Sequence, residues 1–215
     1  FDIDEASAGS LVRKRGLLVH VSAERVREEL LRLLRGTAPA AVLRRFPSVI
    51  GTVLPELTAM VGFDQNNPHH LYDVYEHTIR SVEAAPPDPV VRTALLFHDS
   101  GKPASYTEDE QGVGHFRGHT AVSRQLAEQA LARLKFDKAS SVRILALIRY
   151  HDAAVSPTPA SLRRWLNRLG EEGLRQLLLV KAADNLAQHP AYHVRQAEIR
   201  RLETLLDEVL AQRQC

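Results

Sequence analysis

Apolar residues recur at helical spacing along almost the whole chain. Val26, Leu30, Leu31, Leu33 and Leu34 follow Ser22, an N-cap residue with Glu24 in the first turn behind it, and Gly36 ends that run. Short helices are predicted over 40–45 and 50–60, and residues 63–70 (FDQNNPHH) form a loop. Leu71, Val74, Tyr75, Ile79 and Val82 define an amphipathic helix over 71–84, closed by Pro86-Pro87. An apolar helix from Val90 to Phe97 stops at Gly101 and Pro103, and a polar, glycine-containing loop over 104–118 leaves room for a short hairpin. Further helices are predicted over 119–134, 139–151, 159–169, 171–188 and 190–213. Useful β-alternation and internal repeats are absent from the sequence. The pattern predicts an all-α protein, a small helical segment over 1–62 preceding a larger helical domain over 63–215.

Composition narrows the function classes. The chain has 215 residues and a net charge of +2, so it is not a nucleic-acid binder by bulk charge. Its one cysteine, Cys215, excludes a disulfide scaffold and a thiolate zinc site. No apolar run approaches the roughly 18 residues that span a bilayer, and the opening lacks a signal-peptide pattern. Cytoplasmic residence and no membrane partner are the expectation. Residue 1 is Phe and the sole methionine is Met60, which leads to the expectation that the sequence is part of a longer one.

Ten histidines are the unusual component. His119 continues the stripe Val122, Leu126, Ala130; His151 continues Ile144, Leu147, Ile148; Asp184 follows Leu177 and Val180. His77 lies on the helix 71–84, and His98-Asp99 ends the apolar helix after it. Inward-facing ionisable groups are costly unless they pair or bind metal. Six of them from five helices predict a convergent site, and a mix of histidine and aspartate without thiolates favours a borderline or hard divalent cation. His20, His69, His189 and His193 are read as ordinary core or surface residues.

The run His98-Asp99-Ser100-Gly101-Lys102 resembles the signature of the HD superfamily of metal-dependent phosphohydrolases. That resemblance implies an all-helical bundle in which His77, His98, Asp99 and Asp184 hold one divalent ion. It also implies that His119 and His151, at the positions of two further family histidines, hold a second ion bridged by Asp99. Around this set, Val21-Ser-Ala-Glu-Arg-Val-Arg-Glu-Glu-Leu30, Leu54-Pro-Glu-Leu57, His70-Leu-Tyr-Asp-Val-Tyr-Glu-His-Thr78 and Gly114-His-Phe-Arg-Gly-His119 resemble the downstream half of bacterial CCA-adding tRNA nucleotidyltransferases and related poly(A) polymerases. Phe1-Asp-Ile-Asp4 resembles the end of that family's neck. The family's nucleotidyl-transferring head, with its Gly-Ser loop and paired aspartates, is not in the sequence, so nucleotide addition by these residues alone is not expected. Ser100 stands where the family more often has an aliphatic residue.

The expected chemistry is hydrolysis by metal-activated water, with one or two ions among Mg, Mn, Ni, Co and Fe. Asp99, Lys102 and His115 are the candidate catalytic residues, His115 as general acid. Lys102, Arg117 and Arg149 are the candidate phosphate contacts, and His70, Asp73, Asp152 and Asn185 are candidates to orient the ligands. The resemblance implies nucleotides or RNA 3′ ends as substrates, 2′,3′-cyclic phosphates included, and tRNA and a nucleotidyltransferase head as partners. The pairs and runs Arg13-Lys14-Arg15, Arg44-Arg45, Arg163-Arg164 and Arg200-Arg201 are candidate backbone contacts or solvated helix faces. Two alternatives stay open: a non-catalytic tRNA-holding module, and an HD hydrolase of a signalling nucleotide. Against a cyclic-dinucleotide phosphodiesterase stands the lack of a Gly-Tyr-Pro loop after the HD region.

Overall fold

The computed structural model describes residues 3–68 and 71–212. Among these residues, eleven α-helices are, in order, α1 (Glu5–Lys14), α2 (Ala23–Arg35), α3 (Pro39–Arg45), α4 (Pro47–Val53), α5 (Val74–Ala84), α6 (Pro89–Phe97), α7 (Lys102–Ser105), α8 (His119–Arg133), α9 (Lys138–Tyr150), α10 (Pro159–Ala187) and α11 (Arg195–Ala211). Two two-residue strands, β1 (Thr107–Glu108) and β2 (Gly114–His115), pair antiparallel as a hairpin inside the 104–118 loop. The all-α expectation holds.

The bundle is organised on α6. Every residue from Val91 to Phe97 is buried, the mark of a helix with neighbours on all sides. It packs against α2, α5, α8, α9 and α10, while α10 also runs along α5 and α11. A continuous apolar core extends from Leu30 and Leu34 on α2 to Leu206 and Val209 on α11. Arg92, on α6, ties the first helices to this core. Its buried guanidinium donates to the carbonyls of Leu34 (2.7 Å) and Gly36 (2.8 Å) at the end of α2, and to Ala85 (2.8 Å) at the end of α5. These are carbonyls that a helix end leaves without an internal partner.

Several boundaries differ from the periodicity. The predicted helix 50–60 is α4 followed by a 3-10 turn, Pro55–Met60, because Pro55 bars Leu54 from helical geometry (φ −128°, ψ 70°). Helix α5 starts at Val74, three residues later than predicted, because the Asp73 carboxylate caps it by accepting from the Glu76 N–H at 2.7 Å. Helix α1 leaves little periodic trace in the sequence because it buries only Ala8; Asp4 caps it by accepting from the Ser7 N–H at 3.0 Å. Asp2 lies outside the described residues. Residues 190–192 form a 3-10 turn ahead of α11. Gly170 breaks α10 with a left-handed φ of +71°, separating the two helices that the sequence predicts on either side of it.

Candidate metal centre

Helix ends deliver the site. His98 is the C-cap residue of α6 and His151 that of α9, while His119 is the first residue of α8. His77 comes from α5 and Asp184 from the second half of α10. Each imidazole is oriented by main chain. Nδ1 of His98 faces the Leu95 carbonyl at 2.7 Å, Nδ1 of His119 the Phe116 carbonyl at 2.9 Å, and Nδ1 of His151 the Ile148 carbonyl at 2.8 Å. His77 Nδ1 faces the Ala187 carbonyl at 3.4 Å. A carbonyl can only accept, so every Nδ1 is the donor and Nε2 is left to face the centre.

The four Nε2 atoms surround two carboxylates. Asp99 Oδ2 lies 3.4 Å from His77 Nε2 and 3.3 Å from His98 Nε2, while its Oδ1 lies 3.3 Å from His119 Nε2 and 3.7 Å from His151 Nε2. Asp184 Oδ1 lies 2.9 Å from His77 Nε2 and 3.5 Å from His98 Nε2. The Asp99 carboxylate therefore straddles two histidine pairs. Three overlapping groups have ligand atoms close enough to hold a metal ion: His77, His98 and Asp184; His98, Asp99 and His151; and His119, His151 and Asp152.

The electrostatics call for positive charge. Burial alone would lower His98, but Asp99 and Asp184 override it and raise its pKa to about 10. His119 is raised by Asp99 against the same burial. Burial pushes Asp99 and Asp184 upward, yet the surrounding histidines, with Lys102 beside Asp99, hold both well below the usual carboxylate range. His98 Nε2 is fully buried and makes no hydrogen bond, an arrangement that costs about 1–3 kcal/mol unless something else satisfies it. A divalent cation among nitrogen and carboxylate ligands fits this donor set.

Other candidate residues fall into three groups. Lys102 is buried beside the centre, its Nζ 2.7 Å from Asp99 Oδ2 and 2.8 Å from Gln65 Oε1. His115 and Arg117 line a cavity of about 440 Å³ over the centre, and His115 Nε2 lies in hydrogen-bond contact with Asp109 Oδ2 at 2.7 Å. Asp152 reaches His119 Nε2 (3.6 Å) and His151 Nε2 (3.8 Å) itself rather than standing behind a ligand.

Asp73, Asn185 and Arg149 do not sit where the sequence suggests. The Asp73 carboxylate accepts from the main-chain N–H groups of Glu76 and Gly62, not from the His77 ring. Asn185 points to the other side of α10, donating to Gln188 Oε1 and the Tyr192 carbonyl and accepting from Gln196. Arg149 leaves the centre and lies over the Tyr150 ring. His70 lies outside the described residues, as do His69 and Cys215. Among the basic runs, Arg44 is bound to Glu76 and Arg45 to Glu5, so that pair holds the fold together.

Sequence reasoning missed Lys181 and Gln65. Lys181 Nζ donates to the His151 carbonyl at 2.5 Å and lines a second cavity of about 430 Å³ with Arg195 and Glu198. The two cavities share His151, Asp152, Asp184 and Gln188, so a groove crosses the centre. The spacing of Lys181, one turn before Asp184 on the same helix, was the available signal. Gln65 is a buried polar residue in a loop, for which periodicity offers none.

The bundle brings histidines and aspartates from five helices into groups that could hold a metal ion. Residues 69–188 match the HD domain, and the chain belongs to that family. Residues 1–48 match the probable RNA and SrmB-binding site of polymerase A. The chain is 37% identical over 199 residues to the CC-adding tRNA nucleotidyltransferase of Thermus thermophilus, covering 88% of this chain and 45% of that protein. It is 35% identical over 182 residues to the A-adding tRNA nucleotidyltransferase of Deinococcus radiodurans, covering 81% and 42%. A third relative, the bifunctional uridylyltransferase/uridylyl-removing enzyme of Ruegeria pomeroyi, is 27% identical over 143 residues, covering 55% and 14%. The chain thus spans a little under half the length of the tRNA nucleotidyltransferases it matches. No helix among the described residues is long and apolar enough to cross a membrane.

Proposed function

We propose that this chain is a divalent-metal phosphohydrolase acting on phosphodiester or phosphomonoester bonds of nucleotides or RNA ends, as the HD portion of a CCA-type tRNA nucleotidyltransferase. One observation carries the reading: four imidazoles have Nδ1 committed to main-chain carbonyls and Nε2 turned onto Asp99 and Asp184. His77, His98, Asp99, Asp184, His119, His151 and Asp152 would hold one or two ions, which when bound would supply a polarised water as nucleophile and neutralise phosphoryl oxygens. Lys102 compensates the charge of Asp99 and keeps that carboxylate between the two histidine pairs. Arg117, on the cavity wall, is placed to meet the non-bridging oxygens of a substrate phosphate. His115, oriented by Asp109 on the same wall, is placed to deliver a proton to the leaving oxygen. The uridylyl-removing relative is consistent with removal chemistry of this class.

A second reading is a tRNA-holding module in which the metal is structural, favoured by the match of residues 1–48 to an RNA-binding region. The test is metal analysis of the purified chain together with hydrolysis of 2′,3′-cAMP and bis-p-nitrophenyl phosphate under Mg²⁺, Mn²⁺, Ni²⁺ and Co²⁺. The expected result is bound metal and turnover, both abolished in His98→Ala and Asp184→Ala. Bound metal with no turnover under any of the four ions, alongside retained tRNA binding, selects the second reading. Turnover that survives both substitutions refutes the site.

A further inference from the structure

We propose that the outer face of the α9–α10 junction is a phosphate-backbone platform for single-stranded RNA, guiding a strand into the metal centre from the Lys181 side. The proposal rests on the phosphohydrolase reading only in taking the centre as the strand's destination.

Tyr150 and Trp165 meet edge to face with ring centres 5.2 Å apart. Two arginines lie over them. Arg168 Cζ is 5.4 Å from the Tyr150 ring centre and 5.2 Å from that of Trp165, and Arg149 Cζ is 5.3 Å from that of Tyr150. Arg164 joins Trp165 and Arg168 around a shallow cavity of about 240 Å³. All three arginines are exposed, and among the described residues none has a carboxylate partner. Elsewhere on the surface Arg44, Arg133 and Arg175 are each held by a carboxylate at 2.9 Å or less. A guanidinium within about 6 Å of a ring centre is held by the π face and keeps N–H donors for phosphate oxygens. A cluster of exposed arginines on aromatic rings, without counter-charges, fits a polyanion better than it fits a protein partner.

Position gives the platform its role. Tyr150 immediately precedes the candidate ligand His151. Ala154 and Ser156, in the segment between α9 and α10, line both the platform cavity and the cavity holding Lys181 and Arg195. That second cavity in turn shares His151, Asp152 and Asp184 with the centre. Basic groups therefore run from Arg149, Arg164 and Arg168 past Lys181 and Arg195 to the metal ligands. This path is separate from residues 1–48, which match an RNA-binding region.

The experiment is fluorescence anisotropy with a fluorescein-labelled 12-nucleotide single-stranded RNA and the full chain, across a salt series, with probe integrity checked on a gel. Each phosphate contact contributes about 0.7 to the slope of log affinity against log salt for a single strand. The double variant Arg149→Ala/Arg168→Ala is expected to bind at least tenfold more weakly, with the slope lowered by about 1.4. Arg200→Ala/Arg201→Ala, with the same loss of charge, is expected to stay within twofold of wild type. Trp165 is the only tryptophan, so RNA bound on the platform changes the intrinsic emission. Equal losses in the two double variants, or tryptophan emission unchanged at saturation, overturn the platform. Bis-p-nitrophenyl phosphate has no strand to lay across it and keeps the hydrolytic reading separate. Its turnover is expected to persist in Arg149→Ala/Arg168→Ala and to vanish in His98→Ala, which retains RNA affinity.

Discussion

Replacing Gly101 with alanine puts a methyl group into the main chain of α8. A Cβ on Gly101 would stand 2.5 Å from the His119 carbonyl oxygen, 2.6 Å from the Ser123 nitrogen and 2.8 Å from Val122 Cβ. The two nearest atoms are main chain and cannot rotate away, so the first turn of α8 must retreat. Reaching the 3.4 Å of ordinary contact takes a displacement of about 0.9 Å in an interior with little slack. The same movement stretches the bond from the Gly101 N–H to Ser123 Oγ, now 2.8 Å. Overpacking of this kind costs about 1–3 kcal/mol and the hydrogen bond about 1 kcal/mol more, so a loss of about 2–4 kcal/mol is expected in urea unfolding. His119 travels with that turn and leaves Asp99 Oδ1, from which its Nε2 is now 3.3 Å. Metal uptake by His119, His151 and Asp152 should weaken about 10–100-fold, as when a ligand's support is removed, while His77, His98 and Asp184 keep theirs. Calorimetric titration with Mn²⁺ reads this as one weakened class of site beside one preserved class. A variant within about 0.5 kcal/mol of wild type, with both classes intact, would refute the claim that this contact sets the position of His119.

Arg92→Met withdraws the donors that serve the buried carbonyls of Leu34, Gly36 and Ala85. Stability in urea should fall by at least about 3 kcal/mol, with Arg92→Lys recovering part of it; a loss below about 1 kcal/mol contradicts the role of Arg92 as the tie between α2 and the bundle. Burial first, and the charge of Asp73 second, push the Tyr75 hydroxyl up to about 12 from its usual 10. The folded chain holds that proton more tightly than the unfolded one, so the associated stability is complete below pH 10 and is lost as pH rises through about 12. Two pH units correspond to about 2.7 kcal/mol, so Tyr75→Phe should lose less stability than wild type between pH 9 and 12, by about that amount; equal losses sink the prediction.

The helical pattern and six of the centre's residues were legible because burial leaves a periodic trace. His119, His151 and Asp184 each extend an apolar stripe, and the structure brings all three to one point with His77, His98 and Asp99. Residues beside a ligand were harder to assign. Asp73, one turn before His77, becomes a helix cap; Asn185, next to Asp184, turns to the α11 side; Arg149, two before His151, faces outward onto Tyr150. A neighbour in sequence is rotated by about 100° around a helix, so adjacency alone does not place a side chain toward the same target. Asp152 reaches the centre because the helix has ended at Tyr150 and the chain is free to turn. Gln65 and the β1–β2 hairpin belong to loops, where contacts are made across long sequence separations and leave no local pattern.

The ligands are also ordered in time. Reading from the N-terminus, all four histidines and Asp99 precede residue 152, and Asp184 comes last, on the far half of α10 beyond the Gly170 break. A ribosome that has released the chain only as far as α9 presents the histidines with Asp99 but without Asp184, the second carboxylate that His77 and His98 face. Capture of an ion by that half of the centre would close a loop of more than one hundred residues, from His77 to Asp184, and so would wait for α10 to dock along α5. Metal loading of the His77, His98 and Asp184 group would thereby report completion of the bundle, whereas a polypeptide cut short before α10 would still carry the groups His98, Asp99, His151 and His119, His151, Asp152.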